Sequence, residues 1–393
     1  MTSDTSTPGS PVDRTGLMDS PPEERFDRIT RLARELFDVD YALVNIVDTD
    51  EVYTKSQPEG PRFGRSPREA VFCGETVKQD GLLEVDDATA DERFRDIASV
   101  TEFGMRFYAG FPLRTDDGDA VGTLCLLDSD ARSLSDAQRR SLEQFGRWAQ
   151  AEVRQSEADA SVPAAPADPA AAAGPATGRE KRGSADGVRL ASLAIPHGVV
   201  SGDSSGWQQV GGRVVVTLAD VMGKGEAAGV VADALLGALQ SRRDMDPVQA
   251  MLSVEAEART DGRYRDVFAT VFHAVVDAAS GTVDFVDAGH GLTLVLHADG
   301  TSERLDSRNL PLGLRPADVD WEPGHVRVGR GDLLVSVSDG ALDAYDSTLE
   351  SLRMIGDDLR AAADTGGFFD ELALKVSTHE VDDDVTAVVL SVH

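Results

Sequence analysis

The sequence predicts an α+β protein built from two units, each with an antiparallel sheet and helices. Three observations carry this prediction. Short apolar runs rich in β-branched residues follow one another through brief turns, which is typical of antiparallel strands. Other segments carry apolar residues at helical spacing behind capping signals. Residues 156–187, rich in Pro, Ala and Gly without large apolar residues, separate the halves and predict a flexible linker.

Length and charge limit the function classes. The 393 residues are 41% hydrophobic, which is enough for two cores and excludes wholesale disorder. Acidic residues outnumber basic residues 69 to 38, for a formal net charge of −31. Because phosphate backbones and anionic membranes attract Lys and Arg, this balance argues against nucleic acid and membrane as partners. Two cysteines build no disulfide framework, and no apolar signal or membrane segment is visible, so we expect a cytoplasmic protein.

The first half begins with a polar segment. Residues 1–19 are rich in Ser, Thr, Pro and Asp and predict a mobile tail. A helix is expected to begin at Ser20, because Glu23 follows three positions later as in a capping box. Strands are then expected at residues 41–47, 106–114 and 120–127.

A second helix closes this half. It opens at a capping box formed by Ser135 and Gln138. Its apolar stripe contains Leu142, Phe145, Ala149 and Val153. Such a stripe fits either the core of the unit or the seam of a homodimer, and the sequence leaves both open.

The second half, from about residue 188, alternates strands with helices. Strands are expected at residues 214–218, 267–276, 282–287, 292–297, 332–338 and 385–392, and helices at residues 226–240, 247–258, 349–363 and 368–378. Short turns between consecutive strands favour antiparallel sheets with helices on their faces.

Four aspartates of this half lie at or near strand ends: Asp203, Asp220, Asp339 and Asp383. Carboxylates at strand ends can converge at one edge of a sheet, and several uncompensated acids there need a cation. Carboxylate oxygens without nearby His or Cys select Mg²⁺ or Mn²⁺ over Zn²⁺. Adjacent glycines let a backbone carbonyl, such as that of Val221, bind as well. For any single aspartate, ordinary turn chemistry is the alternative.

The aspartates belong to an ordered set of motifs: Gly202-Asp203, residues 220–225, residues 268–271, residues 288–290, residues 338–340 and residues 383–386. This set resembles the metal-dependent (PPM-type) protein phosphatases in their SpoIIE-like branch, over residues 188–393. The resemblance implies an α-β-β-α sandwich. It also implies two Mn²⁺ or Mg²⁺ ions that hydrolyse phosphoserine or phosphothreonine on a protein.

The resemblance also implies residue roles. Asp220 would bridge both ions, and the Val221 carbonyl would bind one of them. Asp339 and Asp383 would hold the other ion, with Asp203 as an accessory ligand. No side chain would act as a catalytic acid or base, since a metal-bound water would attack phosphorus in line.

Other candidates are less specific. Lys224, in a glycine loop before a helix, is a candidate contact for substrate phosphate, with a solvated lysine as the alternative. His290 is expected as a turn residue near the site, with a general base as the alternative. Arg308 and Arg315 flank a Leu/Pro-rich segment, and either could meet a phosphate.

Several positions depart from the family pattern, among them Met222 and Gly291-Leu292. The family usually has an aromatic pair and a second acid after the first aspartate, where residues 204–206 are Ser-Ser-Gly. Asp287 stands where the family usually has Asn. The departure at residues 204–206 motivates an alternative in which the domain binds a phosphoprotein without turnover.

Residues 72–77, 107–113 and 122–128 resemble a GAF sensory domain, over residues 20–155. The resemblance implies an antiparallel sheet with helices on both sides and a small-molecule pocket, but it does not identify the ligand. Cys73 is expected as a small buried thiol, with bilin attachment as the alternative. The absence of histidine from this half of the sequence disfavours haem.

The expected organisation is a tail at 1–19, a GAF domain at 20–155, a linker at 156–187 and a phosphatase domain at 188–393. The implied function is a GAF-regulated protein serine/threonine phosphatase. On resemblance alone, its substrate would be a phosphorylated anti-sigma-factor antagonist in a partner-switching stress or developmental pathway. The alternatives are a non-catalytic phosphoprotein-binding scaffold and a hydrolase of small phosphoesters.

Overall fold

The computed structural model divides the chain into two compact units, residues 1–167 and residues 168–393. The described residues are 10–57, 63–161, 178–185, 187–198, 200–223, 225–264, 267–379, 381 and 383–393. No helix within these ranges combines the length and the apolar character that a membrane crossing requires.

The first unit is a six-stranded antiparallel sheet with helices. Its helices are α1 (Pro11–Thr15), α2 (Glu24–Phe37), α3 (Cys73–Thr76), α4 (Ala98–Thr101) and α5 (Asp136–Ser161). Its strands are β1 (Tyr41–Val47), β2 (Glu51–Ser56), β3 (Arg65–Pro67), β4 (Leu83–Val85), β5 (Phe107–Arg114) and β6 (Ala120–Asp128). They lie in the order β3-β2-β1-β6-β5-β4, and neighbouring strands are antiparallel.

Helices cover both faces of this sheet. Along β1, Leu43 and Val47 join a core cluster with Cys73 of α3. The alternate residues Val44 and Ile46 are also fully buried, because α2 and α5 pack against the sheet from the other side. A strand buried on both faces has a nearly continuous apolar sequence, as β1 does. The predicted antiparallel sheet with helices on both faces is confirmed.

The apolar stripe of α5 lies in the core of its own unit. All of its members are completely buried: Leu142, Phe145, Ala149 and Val153, together with Trp148. The ring of Phe145 meets that of Phe37 on α2 edge-on, with 5.9 Å between centroids. The dimer-seam interpretation of this stripe is therefore wrong, because folding of the unit already uses that face. A homodimer would need another surface.

Part of the predicted mobile tail is ordered. Ser10 caps α1, since its hydroxyl accepts from the Asp13 backbone N–H at 3.2 Å and its own N–H donates to the Asp13 carboxylate at 2.8 Å. Val12 and Leu17 are buried, with 3% and 2% exposure. These two apolar side chains anchor a segment whose composition is otherwise polar. Residues 1–9 of the predicted tail lie outside the described residues.

The helix predicted to begin at Ser20 begins at Glu24 instead. The Ser20 hydroxyl and the Glu23 carboxylate both accept from the ammonium group of Lys55, whose side chain is completely buried. A buried ammonium needs acceptors more than a helix end needs a cap, because an unpaired buried charge is far more unfavourable. The capping-box prediction was therefore wrong at this position.

The second unit contains two sheets. Its helices are α6 (Glu226–Gln240), α7 (Pro247–Ala258), α8 (Gly340–Asp343), α9 (Leu349–Ala361) and α10 (Thr365–Thr378). Its strands are β7 (Arg179–Ala185), β8 (Val188–Ile195), β9 (Asp203–Val210), β10 (Arg213–Val221), β11 (Ala269–Asp277), β12 (Thr282–Ala288), β13 (Thr293–Leu296), β14 (Ser302–Leu305), β15 (Gly324–Arg327), β16 (Leu333–Val337) and β17 (Val385–Val392).

The sheets pack face to face and carry helices on their outer faces. Their strand orders are β15-β12-β11-β10-β9 and β14-β13-β16-β17-β8-β7. Val216 and Leu218 of β10 share one core cluster with Leu334 of β16 and Val388 of β17, so this core lies between the sheets. Helices α6 and α7 cover the first sheet, and α9 and α10 cover the second. The predicted α-β-β-α sandwich is confirmed.

The predicted linker is shorter in the structure. Helix α5 continues to Ser161, and residues 179–185 form β7, an edge strand paired with β8. This placement requires a small residue at Gly183, because a Cβ there would lie 2.8 Å from the indole nitrogen of Trp207. A polar strand can form at an edge where a neighbouring strand supplies its hydrogen bonds. Residues 162–177 lie outside the described part of the chain.

Candidate active site

The strand register of the first sheet brings two of the four aspartates together. Asp220, near the end of β10, lies directly opposite Asp203 on β9 and opposite Thr270 on β11. Alternation along β10 places Asp220 on the same face as Val216 and Leu218, towards the second sheet. Residues directly opposite one another point to the same face, so Asp203 and Asp220 both project between the sheets.

The second sheet supplies the other two aspartates. Asp339 follows β16 and caps α8, where its carboxylate accepts from the Gly340 N–H at 3.1 Å. Asp383 precedes β17, and its carboxylate accepts from the Asp384 N–H at 2.8 Å. Since β16 and β17 are neighbours, these residues lie at the same edge. A Cβ at Gly340 would lie 2.2 Å from the Asp384 carbonyl oxygen, so this close approach requires glycine.

The four carboxylates repel one another electrostatically. The pKa of Asp203 is held well above its usual range, first by burial and then by the charge of Asp220. The charges of Asp339 and Asp383 act in the same direction, whereas a hydrogen bond with Ser338 opposes them. Although Asp203 as a whole is half-buried, its Oδ2 atom is fully buried and has no hydrogen-bond partner in the described structure. The sandwich therefore gathers all four acids at one end.

The chemistry of this site fits a hard cation. Carboxylate oxygens are the ligands that Mg²⁺ and Mn²⁺ prefer, and a buried carboxylate oxygen without a partner is stabilised by a cation. In the described ranges, however, no three His, Cys, Asp or Glu side chains lie close enough together to hold one ion as they stand. The individual ligand assignments therefore stay predictions.

The backbone at Val221 borders the same end of the sandwich. Its N–H donates to the Gly202 carbonyl at 3.1 Å, and its carbonyl oxygen lies 3.2 Å from the position that a Cβ at Gly202 would occupy. The side chain of Val221 is buried under α6, so the candidate cation ligand of this residue is its backbone carbonyl oxygen. Lys224, three residues further on, lies outside the described residues.

Asp384 is a site residue that the sequence analysis missed. Its carboxylate accepts from the backbone N–H groups of Gly202 at 2.6 Å and His197 at 2.8 Å, and the residue is 7% exposed. Its carbonyl accepts from the Ser338 hydroxyl at 3.2 Å. Asp384 thus connects the start of β17 to the loop before Asp203 and positions both sheets at the site. In the sequence it is the last of three consecutive aspartates, and no signal there distinguishes it from the other two.

His290 lies in a buried hydrogen-bond network. Its Nε2 lies 3.0 Å from the Ser336 hydroxyl, which lies 2.9 Å from the Thr293 hydroxyl. The Asp287 carboxylate accepts from the N–H groups of His290 and Gly291, and burial raises the pKa of Asp287 to about 6. This placement supports the interpretation of His290 as a turn residue.

The two candidate arginines are engaged in ion pairs. Arg315 is buried, its Nε donates to Glu255 Oε2 at 3.0 Å, and its guanidinium lies 5.1 Å from the centre of the Trp321 ring. Arg308 pairs with Glu322 at 2.8 Å on the surface. Arg315 is therefore a core residue, since a buried guanidinium needs its carboxylate partner.

The departure at residues 204–206 has a packing explanation. Ser204 is 7% exposed on β9, and a Cβ at Gly206 would lie 2.5 Å from the Gln240 side-chain nitrogen on α6. The edge strand β9 lies under α6 here, so a side chain at position 206, where the family usually has the second acid, would require the Gln240 side chain to move. This departure does not remove any of the four aspartates.

Comparison with known families gives two successive matches. The GAF domain model matches residues 21–153, and the model of stage II sporulation protein E (SpoIIE) matches residues 210–393. Among curated proteins, a cyclic di-GMP phosphodiesterase of Pseudomonas aeruginosa is 35% identical over 144 residues, which cover 36% of this chain and 24% of that protein. The phosphoserine phosphatase RsbP of Bacillus subtilis is 25% identical over 165 residues, which cover 40% of each protein.

These matches cover less than half the length of either relative. Among solved structures, the RsbU and RsbW domains of a Mycobacterium tuberculosis protein are 22% identical, cover 53% of this chain and 62% of that chain, and give a TM-score of 0.47. Because that score is low, the assignment rests on the family models. Residues 21–153 therefore match the GAF domain family, and residues 210–393 match the SpoIIE family.

Proposed function

We propose that the second unit hydrolyses phosphoserine or phosphothreonine on a protein with the help of divalent cations. The observation that carries the proposal is the buried, unpartnered Oδ2 of Asp203 in the field of three further carboxylates. Four acids gathered at one end of a sandwich are unfavourable on their own and become favourable around cations.

We assign the ligands by position. Asp220 would contact both ions, the Val221 carbonyl one of them, and Asp339 and Asp383 the other, with Asp203 as an accessory ligand. All of these groups offer oxygen, which suits Mg²⁺ or Mn²⁺. When bound, such ions polarise the phosphoryl group and allow a water to attack phosphorus near neutral pH.

The chain's own residues would hold this site in shape. The Thr270 hydroxyl donates to Asp220 Oδ2 at 3.5 Å, and backbone N–H groups donate to Asp339 and Asp383. Each donor restricts the orientation of a carboxylate, and Asp384 fixes the loop before Asp203. Preorganised ligands of this kind avoid reorganisation when the substrate binds.

We further infer that the substrate is a phosphorylated anti-sigma-factor antagonist and that the GAF domain adjusts the activity. The SpoIIE family match and the name of the RsbP relative, a phosphoserine phosphatase, support a phosphoserine substrate. The GAF match supports regulation by a small ligand.

The first test is hydrolysis of p-nitrophenyl phosphate by the full chain with Mn²⁺. We expect turnover that EDTA abolishes and added Mn²⁺ restores. Asp339→Asn should lower it at least ~100-fold, because a neutral amide is a weaker ligand than a carboxylate. Asp320→Asn, at an exposed aspartate of the same unit, is the control and should keep full activity.

Two outcomes would favour the alternatives. No metal-dependent turnover under any condition, together with retained binding of a phosphoprotein, would indicate a non-catalytic scaffold. Turnover of small esters without faster release of phosphate from a phosphorylated antagonist protein would indicate a hydrolase of small phosphoesters.

A further inference from the structure

The core of the first unit contains a polar cluster that the phosphatase proposal does not use. Its members are buried side chains with 0–4% exposure: Asn45, Cys73, Thr76, Tyr108, Thr123 and Cys125. On the central strands, Asn45 of β1 lies opposite Thr123 of β6, and Cys125 follows Thr123 on the same face of β6. Cys73 approaches this face from α3.

The two thiols of the cluster meet at one amide. Nδ2 of Asn45 donates to Sγ of Cys73 at 3.3 Å and to Sγ of Cys125 at 3.4 Å. The two sulfurs therefore cannot lie farther apart than the sum of these distances. Because Cys73 and Cys125 come from different elements, a bond between them would tie α3 to β6.

The surroundings of the thiols are polar but incompletely satisfied. The Oδ1 atom of Asn45 is buried and has no hydrogen-bond partner among the described residues. In contrast, the Thr76 and Tyr108 hydroxyls pair with each other at 2.6 Å. Buried polar atoms are normally paired, so an orphaned amide oxygen on the side chain that contacts both thiols singles out this spot in the core.

We propose that Cys73 and Cys125 form a redox pair that a hydroperoxide converts into an intrachain disulfide. In the first step the Cys73 sulfur attacks a peroxide oxygen, the O–O bond breaks and water leaves, so that Cys73 becomes a sulfenic acid. The Cys125 sulfur then attacks the Cys73 sulfur, the S–O bond breaks and a second water leaves with the Cys125 proton. Two thiols and one hydrogen peroxide thus yield one disulfide and two waters.

The assignment of Cys73 as the attacking group agrees with its ionisation. The neighbouring Cys125 thiol lowers the pKa of the Cys73 thiol, against the opposing effect of burial. The pKa of the Cys125 thiol is raised instead, by its interaction with Cys73 and by burial. Cys73 is also the more accessible sulfur, with 4% exposure against 0% for Cys125, so Cys73 meets the oxidant first and Cys125 resolves the intermediate.

Burial restricts which oxidants can act. Both thiols are nearly inaccessible, with 4% exposure for Cys73 and 0% for Cys125. Hydrogen peroxide is small and uncharged, whereas a bulky, charged aromatic disulfide reagent is excluded from a packed core. We therefore expect the native chain to react slowly with peroxide and to resist the aromatic reagent.

The test uses the full chain, which contains only these two cysteines, so the bond can be assigned by mass alone. The reduced protein is exposed to hydrogen peroxide, quenched, denatured and treated with N-ethylmaleimide before intact mass spectrometry. We expect a monomer without maleimide whose mass is lower by two hydrogen atoms. Dithiothreitol before alkylation should restore two maleimide additions. This readout is independent of phosphatase activity, so its failure and that of the proposed function are distinguishable.

Single variants test the order of the steps. Cys125→Ser should accumulate a sulfenic acid that dimedone labels at Cys73, whereas Cys73→Ser should give little dimedone label at Cys125. Two maleimide additions after peroxide treatment would overturn the proposal, as would disulfide-linked dimers. Equal dimedone labelling of the two variants would overturn the assigned order.

Discussion

Asp384 is the residue that joins the two sheets at the site. Its carboxylate accepts from two backbone N–H groups of the loop between β8 and β9, and the residue lies directly before β17. Asp384 therefore fixes the places of two candidate ligands. Asp383 directly precedes it in the chain, and Asp203 follows the loop that its carboxylate binds. This role differs from that of a metal ligand and can be tested separately.

Asp384→Ala should destabilise the second unit by about 1–3 kcal/mol, because it leaves the buried Gly202 N–H without an acceptor. Asp384→Asn keeps one accepting oxygen and should lose less. Calorimetry of the full chain measures both, with Asp320→Ala as a control at an exposed aspartate. Equal stability of the alanine variant and the control would contradict the anchoring role.

Asp287→Asn should stabilise the second unit above pH 6. Burial raises the pKa of Asp287 from 3.8 to about 6, so the folded state binds the proton more tightly than the unfolded state does. The stability contributed by the protonated form is thus present below about pH 4 and is lost as pH rises to about 6. An amide keeps the oxygen that accepts from His290 and Gly291 without the buried charge.

The expected difference between this variant and the native chain is near zero at pH 4 and grows to roughly 3 kcal/mol at pH 7. Urea denaturation of both proteins across this range measures it. A difference that does not change with pH would show that the Asp287 carboxylate is not the titrating group.

At the scale of elements, α5 shows why an amphipathic pattern alone does not distinguish a core from an interface. Its stripe has the spacing that either use requires, and α2 and the sheet cover it. The same helix extends to Ser161, into the segment whose composition predicts a linker. Composition is a weak guide there, since alanine and charged residues also favour helix.

Phe145→Ala should destabilise the first unit by about 3–5 kcal/mol, because it leaves a cavity in a fully buried position. Arg147→Ala, on the exposed side of α5, is the matched control and should change stability by less than about 0.5 kcal/mol. Calorimetry measures stability, and analytical ultracentrifugation measures mass. A dissociated dimer with unchanged stability would restore the interpretation of the stripe as a seam.

Elements with strong periodicity were predictable, and polar edge strands were not. The sequence predicts the observed bounds of β1, α6, α7 and β17. It does not predict β7 or β9, which lie at sheet edges and carry polar residues. An edge strand has one paired side and little burial, so its sequence shows no alternation that could reveal it.

At the scale of the whole molecule, the two units can be separated to measure regulation, and β7 determines where to cut. A fragment of residues 188–393 would lack β7 and leave β8 as an unprotected edge. A fragment of residues 178–393 keeps the pairing. We expect the longer fragment to be monomeric and the shorter one to aggregate, as size-exclusion chromatography would show.

The ratio of specific activities between the 178–393 fragment and the full chain then measures what the GAF domain does to turnover. A ratio different from one indicates regulation, and its direction gives the sign. Equal activities with and without the first unit, in the absence and presence of oxidant, would contradict regulation through that unit.

The sequence by itself determined the two folds, the order of the motifs and the four aspartates, because hydrophobic periodicity and motif order are properties of the chain. Only the tertiary structure decided which acids act together. Among 69 acidic residues, neither charge nor spacing separates Asp384 from its neighbours. Strand register and sheet packing distinguish Asp384, because they bring its carboxylate to the Gly202 N–H. In the same way they bring Cys73 to Cys125 across a long stretch of sequence.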